Sequence, residues 1–304
     1  MGILMKKRLL KIVTICLLLC AYNPGIAYSD EEEETVVDVQ TVNNIDYKDI
    51  HELDLDLYSN GYLLIRLNDF KALFGENYMD KFYPASLTKV VTLNTVVKNV
   101  SDFSETSSFS STDYEELVNK NASLAGLTVD KEYSIEDLLY ALVLPSGADA
   151  GKALENYFKK QDKDLVSLMN ENAKSLGLTN SHFTNTTGLH DDELYTTLQD
   201  YANVIVDTLS YPKGKEVLKV FKYTLEDDTS VSSTLSSLAS IENVKIYGGK
   251  TGFTDEAGEN IMILYSYKNR SYLLILANAP GNPYIENQKY HFTDVKTILE
   301  YLYK

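Results

Sequence analysis

The sequence contains no tryptophan, and only two of its 304 residues are cysteine, Cys16 and Cys20. Basic side chains are also in short supply, with 28 Lys and Arg against 44 Asp and Glu, a formal charge of −16. A protein that neutralises phosphates needs a basic face, so this balance argues against a nucleic-acid partner. The histidines are His51, His182, His190 and His291. None of them falls in an H-E-x-x-H pattern, so a zinc hydrolase lacks its ligands, and no other pattern asks for a metal or cofactor. The G-x-S-x-G elbow of a Ser-His-Asp hydrolase is missing as well. Apolar residues, by contrast, make up 44% of the chain, and tyrosine alone supplies 23. That content supports a sizeable core and excludes disorder for most of the length.

The N-terminus differs from the rest. Lys6, Lys7, Arg8 and Lys11 form a positive start, and Ile12 to Tyr22 is an apolar run of eleven residues. That length suits the core of an export signal and is short of the roughly 20 residues that span a bilayer. Gly25-Ile26-Ala27 supplies small residues for cleavage, expected after Ala27 or Ser29. Residues 1–28 thus read as a signal peptide, with a buried N-terminal helix as the alternative. Leu19 is too large a residue to precede a lipid-modified Cys20. Export predicts a location outside the membrane, extracellular or on the cell-wall side. Both cysteines leave with the signal, so the mature chain offers neither disulfides nor thiol chemistry. Removing the four signal cations from the 28 basic residues leaves 24 against 44 acidic ones, a charge of −20. Asp30 to Glu34 is an acidic run, and residues 29–45 read as a spacer ahead of a single domain over 46–304.

Within that domain the periodicity changes twice. Tyr62 to Asn68 has strand character, and Lys71 to Phe74 suits a returning strand. From Ala85 to Val97 apolar residues recur at helical spacing behind Pro84. Residues 101–112 read as a loop. Helices are expected over about 113–120, 135–143, 147–159, 161–176 and 197–210. Val244 to Phe253, Asn260 to Tyr267 and Ser271 to Ala277 look like strands, with Asn269-Arg270 as the tight connection between the last two. A helix over about 289–303 follows. Strands at both ends that meet in one sheet make the middle a helical insertion.

Three short patterns carry chemistry. In Tyr-Pro-Ala-Ser-Leu-Thr-Lys, Ser86 and Lys89 are three apart and share one face of a helix. A serine hydroxyl needs a base before it can attack, and a lysine serves only when uncharged. Burial, a second cation and the positive end of the helix dipole all push its pKa down. The bland alternative is a serine cap beside a solvent-exposed lysine. Gly248-Gly249-Lys250-Thr251-Gly252-Phe253-Thr254 ends a strand. Lys250 offers a charge and Thr251 a hydroxyl to a carboxylate, and a bare Gly252 would let a substrate backbone lie against the strand edge. A plain glycine-rich strand end is the alternative. In Leu144-Pro-Ser-Gly-Ala-Asp149, Ser146 either relays a proton or caps a helix.

Together these patterns follow the order S-x-x-K, S-x-N, K-T-G. On these blocks, and on Asn185-Thr-Thr-Gly-Leu-His-Asp191 and Ala257-Gly258, the chain resembles the serine-type D-alanyl-D-alanine carboxypeptidases, the low-molecular-mass penicillin-binding proteins. The resemblance covers about 46–304. It implies an α/β (α+β) fold of the β-lactamase/transpeptidase kind, an antiparallel sheet of about five strands packed with helices, plus a mostly helical subdomain. It further implies that Ser86 attacks the carbonyl between two D-alanines of a peptidoglycan stem peptide, with Lys89 as base. The N–H groups of Ser86 and Phe253 would form the oxyanion hole, while Lys250 and Thr251 would hold the terminal carboxylate. β-Lactams would be covalent inhibitors. Two departures stand out. Ala148 occupies the place where the middle pattern usually ends in Asn, which permits a weakly active or inactive binding homologue. The neighbouring Asp149 should point elsewhere. The sequence also stops at Lys304, with no C-terminal membrane anchor visible. A serine β-lactamase shares the fold, but no glutamate can be assigned to position its water. His190 is expected to support a loop.

Overall fold

The computed structural model describes residues 45–238, 240–285 and 287–303. The signal-like segment and nearly all of the acidic spacer lie outside these. The chain forms a hairpin of β1 (Gly61–Arg66) and β2 (Lys71–Glu76), and a 3₁₀ turn, Ala85–Leu87, then leads into α1 (Thr88–Asn99). Next come β3 (Thr106–Ser107), α2 (Ser111–Asn119), β4 (Tyr133–Ser134), α3 (Ile135–Val143), α4 (Ala148–Lys159), α5 (Leu165–Ser175), α6 (Leu198–Ser210) and α7 (Pro212–Leu218). A small hairpin, β5 (Lys222–Thr224) and β6 (Ser230–Ser232), precedes a second 3₁₀ turn, Thr234–Ser237. The long strands β7 (Lys245–Thr254), β8 (Gly258–Tyr267) and β9 (Arg270–Ala279) and the helix α8 (Tyr290–Tyr303) follow.

Five strands make one antiparallel sheet in the order β2-β1-β9-β8-β7. The expected fold class is therefore present. β1 pairs with β9, with Leu63 opposite Ile275, so the two ends of the domain share the sheet and the helices between them are an insertion. β7 lies at the edge, with one side unpaired within the sheet.

The sheet is buried on both faces. Leu63, Met262, Leu264, Leu273 and Ile275 pack into the core shared with α1 and α6. Their neighbours Leu64, Ile261, Ile263, Leu274 and Leu276 pack with Val295, Ile298 and Leu299 of α8. Two buried faces explain why β8 and β9 read as apolar runs rather than as alternation. Several helix starts are written in side chains. Ser110 and Asp113 form a reciprocal capping box on α2, and Ser134, Asp164 and Thr197 cap α3, α5 and α6.

Three details differ from the sequence reading. The β8–β9 turn is Lys268-Asn269, with both residues at positive φ (45 and 59), and Arg270 already belongs to β9. Such a turn matches the twist of its strands. The region read as a loop contains β3 and the start of α2. Neither α7 nor the β5–β6 hairpin was expected; α7 begins at Pro212, whose fixed φ suits a first helical position.

Candidate active site

Ser86 lies in the 3₁₀ turn ahead of α1, and Lys89 lies in the first turn of that helix. The residue before the serine, Ala85, has φ 47, a costly conformation for a side chain with a Cβ. Two glycines from distant segments hold it in place. Gly188 has φ +79 and presses on the Ala85 carbonyl so closely that a Cβ there would stand 1.8 Å from Ala85 O. Gly252 of β7 lies against the same turn, where a Cβ would be 2.8 Å from Pro84 O and 3.1 Å from the Ser86 nitrogen. The bare backbone of Gly252 thus admits the serine-bearing turn, and the same residue lines the cleft.

Lys89 Nζ is 3.0 Å from Ser86 Oγ and donates to the Thr187 carbonyl at 2.6 Å. Burial lowers its pKa from 10.5 to about 7, with the Asp149 charge opposing the shift. An amine so placed is partly uncharged at neutral pH and within reach of the serine proton. The Thr187 carbonyl is aimed by Asn185. Its Oδ1 accepts from the backbone N–H of Thr187 at 3.1 Å and of Gly188 at 2.7 Å, and its Nδ2 donates to Leu189 O at 2.9 Å.

Lys250 is fully buried, and its Nζ donates to the Thr251 carbonyl at 2.7 Å. Burial, and secondarily the Lys89 charge, push its pKa well down. Its side chain is not among those that line the cleft, and it lies close enough to Lys89 for the two charges to oppose each other. Thr251 does face the cleft and donates through Oγ1 to Thr234 Oγ1 at 2.7 Å. Ser146 is buried at φ 68, and its Oγ has no partner among the described residues. Gly147 is the N-cap of α4, so the capping alternative for Ser146 falls. Asp149 accepts from the N–H groups of Ala125, Gly126 and Leu127, which fixes the preceding loop and leaves its carboxylate committed there. His190 packs edge-on against Tyr83 and lies near Asp192 and Glu256, and it is not among the residues that line the cleft.

The cleft encloses about 290 Å³. Ser86, Ser146, Thr251, Gly252 and Phe253 line it, together with Tyr284 and Lys289 from the stretch before α8 and His291 from the first turn of that helix. Every candidate read from the sequence is thus at one place, with Lys89 and Lys250 just behind the surface. The sequence reading missed Thr187, whose contribution is a backbone oxygen, and also Thr234, Lys289 and His291. Among these, only the Asn185-Thr-Thr-Gly stretch carried a sequence signal.

A family model described as D-alanyl-D-alanine carboxypeptidase matches residues 48–280. The chain is similar to the D-alanyl-D-alanine carboxypeptidase DacF of Bacillus subtilis, 27% identical over 199 residues, a match covering 64% of this chain and 51% of that protein. It is also similar to DacA of Escherichia coli, 24% identical over 273 residues, covering 86% of this chain and 63% of that protein. The chain therefore spans between half and two thirds of the length of these relatives. Among solved structures, the Streptomyces K15 DD-transpeptidase superposes with a TM-score of 0.72 at 21% identity, covering 82% of this chain and 98% of that one. Penicillin-binding protein D2 from Listeria monocytogenes, in a cefotaxime-bound form, gives 0.69 at 24% identity, covering 83% and 100%. At these identities the two structures speak for the fold.

Proposed function

This chain belongs to the D-alanyl-D-alanine carboxypeptidase family, and from that premise we propose that it removes the terminal D-alanine of peptidoglycan stem pentapeptides through an acyl-enzyme on Ser86. The observation that carries the reading is the buried amine of Lys89, near-neutral in pKa and 3.0 Å from Ser86 Oγ. Lys89 takes the serine proton as Oγ attacks the carbonyl between the two D-alanines. The N–H groups of Ser86 and Phe253 are the donors for the developing oxyanion. Ser146, buried with an unpartnered hydroxyl facing the same cleft, relays the proton to the leaving amine as the C–N bond breaks. Water then releases the acyl group and regenerates the serine. Thr251 binds the terminal carboxylate. Neither metal nor cofactor takes part in this scheme. The export signal read in residues 1–28 puts the substrate outside the membrane, in the cell wall.

A labelled penicillin should acylate Ser86 stoichiometrically, and a pentapeptide ending in D-Ala-D-Ala should lose one D-alanine. Intact mass spectrometry reads the first and amino-acid release the second. Folded protein without an adduct after long incubation ends the proposal. The methyl group of Ala148, buried at the start of α4, favours one alternative, a binding homologue with little turnover. That reading takes over if acylation occurs and no D-alanine is released. Rapid hydrolysis of the penicillin would instead indicate a β-lactamase.

A further inference from the structure

The scheme above names no base for the water that releases the acyl group. That water arrives from the cleft, whereas Lys89 is buried, donates to the Thr187 carbonyl and is not among the residues that line the cleft. Among the described residues that do line it, His291 carries the one imidazole. Imidazole is the side chain whose ordinary titration lies nearest neutrality, so it takes up and returns a proton readily. His291 sits in the first turn of α8, almost fully buried. Its Nδ1 lies 2.7 Å from Oε2 of Glu259, itself fully buried, and the same oxygen accepts the His291 backbone N–H at 3.1 Å. The Nδ1 contact is not aligned as a hydrogen bond, so it acts through charge. The other oxygen of Glu259, Oε1, has no partner among the described residues. A buried carboxylate so sparsely matched is stabilised when the ring beside it gains a proton. With Nδ1 turned to Glu259, Nε2 is the ring nitrogen left for the cleft. Glu259 also stands directly opposite Phe253 in the β7–β8 pairing, so the two side chains project from one face beside the oxyanion donor.

The geometry points to His291 as the general base of the deacylation step, with Glu259 as the positioning residue that holds its ring. The water oxygen attacks the carbonyl carbon of the acyl-enzyme and passes one proton to His291 Nε2. The C–Oγ bond then breaks, the imidazolium returns the proton to Ser86 Oγ, and the shortened peptide leaves as a carboxylic acid. This rests on the peptidase reading above, and His291 lies beyond residues 48–280 matched by the family model.

The test follows D-alanine release by the whole chain from a pentapeptide ending in D-Ala-D-Ala, before and during steady state. His291→Gln should release one D-alanine per Ser86 in a rapid burst and then turn over about 10²–10⁴-fold more slowly than the parent. Acid quenching and intact mass spectrometry should find most of that variant as the acyl-enzyme. Hydroxylamine, a neutral nucleophile that needs no base, should discharge the adduct quickly, a rescue that a merely distorted cleft would not show. Glu259→Gln keeps an acceptor for the His291 N–H and removes the charge, and it should show the same burst with a smaller loss of turnover. A folded His291→Gln that turns over at the parental rate, or that loses the burst itself, overturns the assignment of His291 and leaves the peptidase reading in place. If His291→Gln does not fold, Glu259→Gln decides, and turnover without accumulation of acyl-enzyme overturns the assignment. Absence of the Ser86 penicillin adduct in the unaltered protein overturns the peptidase reading and this inference together.

Discussion

Lys89 works as a base only while it lacks a proton, so its environment can be read through pH. Its pKa is lowered from 10.5 to about 7, chiefly by burial. Between these values the unfolded chain holds a proton that the folded one has released, so stability should rise with pH across that window. Below about 7 both states are protonated, and the cost of burying the charge is felt in full. Acylation follows the same titration and should climb with pH through about 7 to a plateau. Lys89→Met keeps the volume and removes the amine. It should slow penicillin acylation by about 10²–10⁴-fold and abolish the acidic limb of the pH–rate profile. It should also flatten the rise of the urea midpoint with pH. A surviving limb near 7 would move the base elsewhere. At this scale the sequence was informative where side chains of fixed spacing share a helix face, as with Ser86 and Lys89. It was silent where a backbone atom does the positioning, as the Thr187 carbonyl does. Adjacent positions on a strand such as Lys250 and Thr251 lie on opposite faces, and nothing local in the sequence says which of them meets solvent.

Between elements, the site depends on close backbone approach. The turn carrying Ser86 is pressed between Gly188 of the loop before α6 and Gly252 of β7, and Ala85 holds its positive φ under that pressure. Gly188→Ala combines a φ of +79 with a Cβ aimed at the Ala85 carbonyl. Backbone cannot move aside as a flexible side chain can, so the expected cost is at least about 2 kcal/mol of stability. The folded remainder should acylate more slowly, since the shift falls on the serine. Urea unfolding and acylation rate check the two parts, and a variant matching the parent in both would show that the turn is free to relax. Elements with clear caps and periodicity, such as α3 and α6, were legible within a residue or so. Short ones were not. The β5–β6 hairpin has three residues on each side, and α7 has seven, too few for a period to register.

Across the whole domain, α8 does two jobs that no local pattern links. Val295, Ile298 and Leu299 cover the outer face of the sheet, while the residue before the helix, Lys289, and His291 of its first turn reach the cleft. The helix is tied to the opposite end of the domain by Asp294. This buried carboxylate accepts from the N–H of Tyr58 at 3.0 Å, the N–H of Ser59 at 2.7 Å and Ser59 Oγ at 2.6 Å, just ahead of β1. The sequence could not announce this contact, because the partners are more than 230 positions apart and two of the three donors are backbone. Three hydrogen bonds to one charged group lose their acceptor in Asp294→Ala, and two backbone donors are left without it. Bonds to charged groups contribute roughly 1.5–3 kcal/mol each and are not additive, so a loss of about 2–4 kcal/mol is expected. The urea midpoint should fall with an unchanged slope, because the surface exposed on unfolding is the same. A shift below about 0.5 kcal/mol would mean that apolar packing alone holds α8. In that case the placement of Lys289 over the cleft would depend on the sheet face and owe nothing to the link with β1.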